Sequence, residues 1–147
     1  MMLTATSPAF KADPEAVFAF FLGMEENYRR WHPDHIEFRW VDPAALRPGV
    51  RFFFAERIDG KVLKKTLAFT RIEPGRLIEF APTFRLMRLF LPRIGFTIEP
   101  AADGITVRQD ILLRIGPLAA RLNRRELDAV RRHMREEGES IARLLGA

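Results

Sequence analysis

The hydrophobic period of this chain changes twice along its length, and this limits the folds open to it. From His35 to Ile115, apolar and polar residues largely alternate, which is typical of half-buried strands. From about Leu118 to Leu145, apolar residues recur at spacings of three and four, which predicts one long amphipathic helix. A sheet with one apolar face and a helix with one apolar stripe must bury each other. The sequence therefore predicts an α+β protein.

Two short helices are predicted between the first strand, at residues 2–10, and the second. Asp13 suits an N-cap, Pro14 suits the first helical position, and Gly23 ends the first helix. "MEENYRRW" then predicts the second helix. The residues expected on the buried side of the first helix are Val17, Phe18, Phe21 and Leu22.

About six antiparallel strands follow, because turn signals interrupt the alternating region. These signals are Pro48–Gly49, "DGK" at 59–61, Pro74–Gly75 and "AADG" at 101–104. Asn123 and Glu126 have the spacing of a capping box, so the terminal helix is expected to begin properly at Asn123.

Composition narrows the function classes. The 147 residues predict a single domain over 1–147, and the lack of cysteine excludes disulfides, thiol catalysis and thiolate metal sites. Neither a signal peptide nor an apolar run long enough to span a membrane is predicted, so we expect a soluble cytoplasmic protein. Residues 83–125 contain eight arginines and only three acidic residues, so this segment accounts for the net charge of +5. We therefore expect a local basic patch. We expect no nucleic-acid partner, because the patch has no aromatic surface for base stacking and no element that would read base edges.

Five motifs, in this order, resemble the SRPBCC superfamily of START-related lipid-transfer, pollen-allergen-like and polyketide cyclase/dehydrase-like proteins. They are "ADPEAVFAFF", the tryptophan-proline pair of "WHPDH", "TRIEPGRLIEF", "DGITVRQDI" and "HMREEGESIARLL", and they span nearly the whole chain. The resemblance implies a helix-grip fold: a curved antiparallel sheet of six to seven strands wrapped around the long C-terminal helix. An apolar cavity between sheet and helix is implied as well.

"WHPDH" raises the question of a metal site. His32, Asp34 and His35 offer three ligand types that bind transition metals. Three donors within four residues, with the chain held extended around Pro33, cannot easily point at one centre. The distant histidine, His133, falls on the flank of the helix stripe. The motif therefore predicts no metal site.

The same motif is better explained as a structural corner. By the resemblance, Trp31 plugs one end of the core and Pro33 starts the second strand. The sequence favours solvated loop positions for His32 and His35. The alternative is that one of these imidazoles faces the cavity and exchanges a proton near neutral pH.

Strand parity suggests polar groups inside the cavity. Because Arg51 and Arg57 are better placed outside, the alternation favours Glu56 inward, where burial would raise the pKa of its carboxyl. The same alternation puts Gln109 inward and leaves Arg108 and Asp110 outside as a pair. The apolar residues expected to share the face of Glu56 are Phe52, Phe54 and Ile58. Those expected to point outward, which would suit a sheet-face dimer, are Phe53, Leu67 and Phe69.

Segment 83–96 is too apolar for a plain loop. If it is helical, Arg85 and Arg88 lie together, away from its apolar side. The favoured interpretation is a core-packing segment; a lid over the cavity and a basic membrane-surface helix are the alternatives. The residues expected to enter the core are Phe84, Met87, Phe90 and Phe96, and a helix would cluster Leu86, Met87, Phe90 and Leu91.

These features together predict a protein that binds a small hydrophobic molecule, lipid-like or aromatic, without a cofactor and as a monomer or homodimer. One alternative is a polyketide cyclase or dehydratase in which Glu56 works with His32, His35 or Tyr28 as acid and base. The other is a chaperone-cofactor or membrane-surface module that uses the 83–125 patch, with transient membrane contact. The expected cavity residues are Phe52, Phe54, Glu56, Ile78, Phe80, Met87, Phe90, Phe96, Gln109, Val130 and Met134.

Overall fold

Seven antiparallel strands and five helices make up residues 1–146, the part of the chain that the computed structural model describes. The strands are β1 (Met2–Thr6), β2 (His35–Trp40), β3 (Arg51–Ile58), β4 (Lys61–Glu73), β5 (Leu77–Pro82), β6 (Arg93–Ala101) and β7 (Gly104–Leu112). The helices are α1 (Pro14–Leu22), α2 (Met24–Trp31), α3 (Arg85–Phe90), α4 (Pro117–Leu122) and α5 (Arg124–Leu145).

The sheet order is β1-β7-β6-β5-β4-β3-β2, so every neighbouring pair except β1-β7 is consecutive in the chain. Helix α5 packs on β1 and β7 at one side of this sheet and also contacts β3 near the other side. One helix can touch both sides only if the sheet curves around it. The predicted helix-grip fold is confirmed.

The two short helices lie where the sequence predicts them, and they close one end of the sheet. Trp31 at the end of α2 is buried, and its indole Nε1–H donates to the main-chain oxygen of Glu137 at 3.0 Å. Trp31 therefore joins the helix-to-strand corner to α5. The expected stripe of α1 is partly wrong, because Leu22 is 45% exposed and Phe20 is buried in its place.

Helix α5 begins one residue after Asn123, as the sequence predicts, but no capping box forms. The Asn123 amide instead donates to the oxygen of Ala119 in the preceding helix. The buried face of α5 is broader than the apolar stripe. It includes three polar residues, His133, Glu137 and Ser140.

At the β6–β7 turn, the main chain of Gly104 lies very close to the main chain of Phe10. Gly104 has φ +129°, a conformation that L side chains rarely adopt. A Cβ atom there would lie 2.0 Å from the carbonyl oxygen of Phe10. Phe10 and Ile105 exchange both main-chain hydrogen bonds, which holds this approach in place.

Two expectations about the sheet faces are corrected by the register. Phe52 pairs with Leu67, and neighbours opposite each other share a face, so Leu67 and Phe69 point inward and are buried. Phe53 does point outward, where the Arg39 guanidinium lies 4.7 Å from its ring centre. The proposed apolar outer patch is therefore not formed.

Segment 83–96 contains α3, but the helix does not enter the core. Phe84 and Phe90 are 64% and 50% exposed, Met87 is half-buried, and only the following residues, such as Leu91 and Phe96, are buried. The hydrophobic positions of α3 therefore remain at the surface. None of the helices in residues 1–146 is both long and apolar enough to cross a membrane.

Candidate functional site

A cavity of about 330 Å³ lies between the concave face of the sheet and α5. Its walls are mainly aromatic and aliphatic, and its volume falls in the range of small-molecule sites. At the junction of α4 and α5 the lining includes Asn123, which is exposed, so the cavity reaches the surface there. The expected residues that line it are Phe52, Phe54, Glu56, Phe80, Phe96, Gln109, Val130 and Met134.

Three expected cavity residues do not line it. Ile78 is only 1% exposed and packs within the main hydrophobic core, among the residues that support the wall. Met87 and Phe90 lie on α3, which sits outside the sheet core. Leu91, directly after α3, lines the cavity instead.

The polar end of the cavity is built by β2, β3 and α5. Glu56 on β3 faces inward, and its strand partner across the β2–β3 ladder is His35. His133 and Glu137 are one helical turn apart on α5, so their side chains project from the same face. Tyr28 on α2 completes this end, and its hydroxyl donates to Glu56 Oε2 over a long 3.5 Å.

Four side chains converge here, and we call them the buried cluster: His35, Glu56, His133 and Glu137. His35 Nε2 lies 2.9 Å from Glu137 Oε2, 3.9 Å from Glu56 Oε2 and 3.2 Å from His133 Nε2. His133 Nε2 lies 3.3 Å from Glu56 Oε2 and 3.5 Å from Glu137 Oε2. Two imidazoles and two carboxylates thus direct one atom each toward a common point.

The orientation of the His35 ring is set by its neighbours. Its Nδ1 lies 2.7 Å from the main-chain oxygen of Tyr28, which can only accept, so Nδ1 carries a proton. The ring also stacks on the Tyr28 phenol, with centroids 3.9 Å apart. The remaining ring nitrogen, Nε2, is therefore the one that faces the buried cluster.

Burial and charge compete at the cluster. Burial alone would lower the pKa of the His133 imidazole, but hydrogen bonds to Glu137 and Glu56 raise it to about 10. Burial alone would raise the pKa of the Glu137 carboxyl, but His133 and His35 outweigh it and hold that pKa below its ordinary value. Burial and the charges of Glu56 and Glu137 raise the pKa of Tyr28. The His133 imidazole and the Glu137 carboxyl therefore carry opposite charges at neutral pH, and the two groups pair with each other.

Both motif histidines are buried, contrary to the expectation that they are solvated. The side chain of His35 is fully buried, and His32 is 4% exposed. The Nδ1 of His32 accepts the main-chain N–H of Asp34 at 2.9 Å, and its Nε2 lies 3.1 Å from Glu136. Helix α5 covers the corner and removes it from solvent, an effect that the local motif does not report.

The cavity lining includes polar residues that the sequence analysis did not place there, among them His133, Glu137 and Lys65. His133 and Glu137 interrupt the helix stripe, and their spacing of four was the available signal. Lys65 also lines the cavity, because the β3–β4 register places it opposite Phe54. Burial lowers the pKa of the Lys65 amine, and the nearby charge of Glu56 partly offsets this.

Comparisons with known proteins find solved structures of the same fold. No protein-family model matches the sequence, and no curated protein does either. The solution structure of KanY protein (ms6282) is similar over 100% of this chain and 98% of its own, with a TM-score of 0.76 at 12% identity. Ara h 8.0201 is similar over 99% of this chain and 95% of its own, with a TM-score of 0.63 at 17% identity.

A third similar structure is the Polyketide_cyc-like protein Cgl2372 from Corynebacterium glutamicum. It matches 99% of this chain and 92% of its own, with a TM-score of 0.59 at 15% identity. At these identities the likeness concerns the fold. The sheet order, the long terminal helix and these neighbours together show that the chain has the helix-grip fold.

Proposed function

We propose that this protein binds a small hydrophobic molecule, lipid-like or aromatic, in the cavity between the sheet and α5. The observation that carries this proposal is the cavity itself, about 330 Å³ in volume and lined by aromatic and aliphatic side chains. A close-packed interior leaves few voids larger than a water molecule, so a space of this size favours an occupant. Its apolar walls contribute affinity, and its polar end orients the ligand.

The polar end narrows the chemistry of the ligand. Glu56 and Gln109 offer acceptors, Gln109 and Lys65 offer donors, and all three residues line the cavity. An apolar body with a hydroxyl, carbonyl or carboxylate group would satisfy both kinds of surface. The burial of Lys65 disfavours its charged form, and a carboxylate on the ligand would restore it.

Extraction of the protein as isolated tests the proposal. Native mass spectrometry should show bound species that organic extraction releases as apolar molecules, and a fluorescent fatty acid should bind the emptied protein with one site per chain. A protein that carries no such molecule and fails to bind the fatty acid would contradict the proposal. Competition between extracted ligand and the fluorescent probe would establish that they share the cavity.

A cyclase or dehydratase is a second candidate, because acid and base groups meet at the polar end. The Tyr28 hydroxyl contacts Glu56, and Glu56 contacts His133, within a cavity whose apolar walls limit the entry of water. A carboxylate paired with an imidazole can move a proton from carbon to oxygen. Incubation with a stabilised poly-β-carbonyl chain should then yield a product that has lost water, and Glu56→Gln should abolish its formation. An unchanged chain would exclude this candidate and leave ligand binding standing.

Membrane contact is supported by the exposed apolar residues near the basic patch. The main-chain N–H of Arg114, between β7 and α4, donates to the main-chain oxygen of Phe90 at the end of α3. This hydrogen bond joins the exposed apolar residues of α3 to the β7–α4 segment. Arginines surround these residues, which suits an anionic lipid surface. Binding to phosphatidylserine vesicles should weaken with salt, and indifference to lipid charge would remove this candidate. The exposed apolar residues are Phe84, Leu86, Leu89, Phe90, Leu118 and Leu122.

A further inference from the structure

The spacing of the four ligand atoms in the buried cluster matches a metal coordination shell. Four donors placed tetrahedrally at ordinary Zn–N and Zn–O distances lie about 3.3 Å from one another. The five contacts that join these atoms range from 2.9 Å to 3.9 Å. Hydrogen bonding alone does not require four polar atoms from three elements to be mutually adjacent in this way.

The donor types select the class of metal. Two imidazole nitrogens and two carboxylate oxygens suit a divalent first-row transition ion. Mg²⁺ and Ca²⁺ instead prefer shells of oxygen alone. The chain has no cysteine, so a metal that requires thiolate ligands cannot be held by these residues. Among divalent ions that tolerate tetrahedral N₂O₂ sites, Zn²⁺ fits best.

The second shell has the features that metal sites use. A ligating histidine normally donates its other ring N–H to a carbonyl or carboxylate, which leaves the ligating nitrogen unprotonated. His35 does this through Nδ1 to the oxygen of Tyr28. The Trp31 indole N–H holds the main-chain oxygen of Glu137, which fixes the helical turn that carries that ligand.

Two carboxylates of the cluster bring their negative charges to one buried point. The side chains of Glu56 and Glu137 are only 15% and 7% exposed, and a buried charge is costly unless it is paired. The two imidazole Nε2 atoms lie beside these carboxylates, 3.2 Å apart, so both can reach one ion. One divalent ion at the centre would balance both carboxylates, and a lone pair from each imidazole would complete its shell.

The neighbouring group of His32, Asp34 and His133 does not offer an equivalent site, although its donors are close together. The Nδ1 lone pair of His32 is already occupied by the Asp34 N–H, and its Nε2 faces Glu136. As the sequence predicts, the three donors of "WHPDH" do not converge on one point. His35 converges instead with groups from β3 and α5.

We propose that His35, Glu56, His133 and Glu137 form a binding site for a divalent transition-metal ion, with Zn²⁺ as the ion that fits best. The site lies at the polar end of the cavity but does not depend on the cavity being filled. Metal binding and hydrophobic-ligand binding can therefore be measured, and can fail, separately.

The test uses the full chain, stripped of metal with a chelator and dialysed. Calorimetric titration with Zn²⁺ should give one ion per chain, Zn²⁺ should raise the melting temperature, and Mg²⁺ should do neither. Addition of Co²⁺ should give the visible absorption bands of a tetrahedral site. A wild-type protein that binds no Zn²⁺, or that shows an octahedral Co²⁺ spectrum, would overturn the proposal.

Variants then assign the ligands. Loss of one ligand by His133→Ala or Glu137→Gln should weaken Zn²⁺ binding by at least about 100-fold, since even second-shell changes cost 10–100-fold. His32→Ala is the matched control: this histidine is also buried and its ring lies 4.1 Å from that of His133, but it is outside the ligand set. It should retain the wild-type affinity.

Folding is monitored by circular dichroism so that loss of metal is not confused with loss of structure. If His133→Ala does not fold, Glu56→Gln decides, because Glu56 lies on the cavity wall and is partly exposed. Retention of wild-type affinity by the folded ligand variants, or its loss in His32→Ala alone, would show that Zn²⁺ binds elsewhere and would refute the assignment. A fluorescent fatty acid that still binds the metal-free variants would leave the proposed function intact.

Discussion

Substitution of Val130 by phenylalanine tests whether the space beside α5 is an open cavity or a packed core. The substitution should raise the free energy of unfolding if the cavity is open and lower it if the core is packed. Val130 lies on α5, is half-buried and lines the cavity. A cavity of about 150 Å³ can hold benzene, so the 330 Å³ present here has room for an added ring. The larger buried apolar side chain should raise the free energy of unfolding by about 1 kcal/mol on the area scale.

Val107 provides the matched control, because it is also a valine but is 3% exposed and packs in the main core away from the cavity lining. Overpacking a filled core costs about 1–3 kcal/mol, so Val107→Phe should lower the free energy of unfolding. The two substitutions add the same atoms. Their effects should nevertheless have opposite signs.

Urea unfolding followed by circular dichroism measures both free energies, and titration with a fluorescent fatty acid measures ligand binding in the same samples. Val130→Phe should stabilise the emptied protein while weakening the binding of the fatty acid. Destabilisation of Val130→Phe to the same extent as Val107→Phe, with fatty-acid binding unchanged, would refute the existence of an open cavity beside α5.

Three further substitutions test other parts of the structure. Gly104→Ala should lower the free energy of unfolding by at least about 2 kcal/mol in a denaturant titration, because its Cβ would overlap the oxygen of Phe10 and its φ is positive; an unchanged midpoint would contradict this contact. Trp31→Phe should lower the free energy of unfolding by about 0.5–1.5 kcal/mol in the same measurement, since it removes the hydrogen bond from the indole N–H to the main-chain oxygen of Glu137. A neutral effect would show that this hydrogen bond adds no net stability. Lys65→Met should raise the free energy of unfolding at neutral pH, and this gain should shrink as the pH rises. The reason is that burial lowers the folded-state pKa of the Lys65 amine, so the unfolded chain holds the proton more tightly. A gain in unfolding free energy that grows with pH would contradict a lowered pKa.

The sequence could predict which side chains of β3 and β7 face the cavity, because each strand has its own pattern of charged and apolar residues. Arg51 and Arg57 lie at positions of β3 that face the opposite side from Glu56, so the inward orientation of Glu56 follows from the local pattern. Gln109 follows from the same alternation, and Arg108 and Asp110 pair outside at 3.1 Å. In β4 the pattern is ambiguous, since Lys65 occupies an inward position, and only the register with β3 settles which face is buried.

The sequence by itself determined the elements and their order, because each hydrophobic period is local, and the resemblance carried by its five motifs implied the helix-grip fold. Tertiary structure alone decided the buried cluster. His35 and His133 are 98 residues apart, and nothing in either local pattern reports their contact. The motif at the corner contributes one of these ligands, and the curvature of the sheet around α5 brings it to the other three. Local periodicity therefore predicts which elements form, whereas the groups that meet at the end of the cavity depend on how those elements pack.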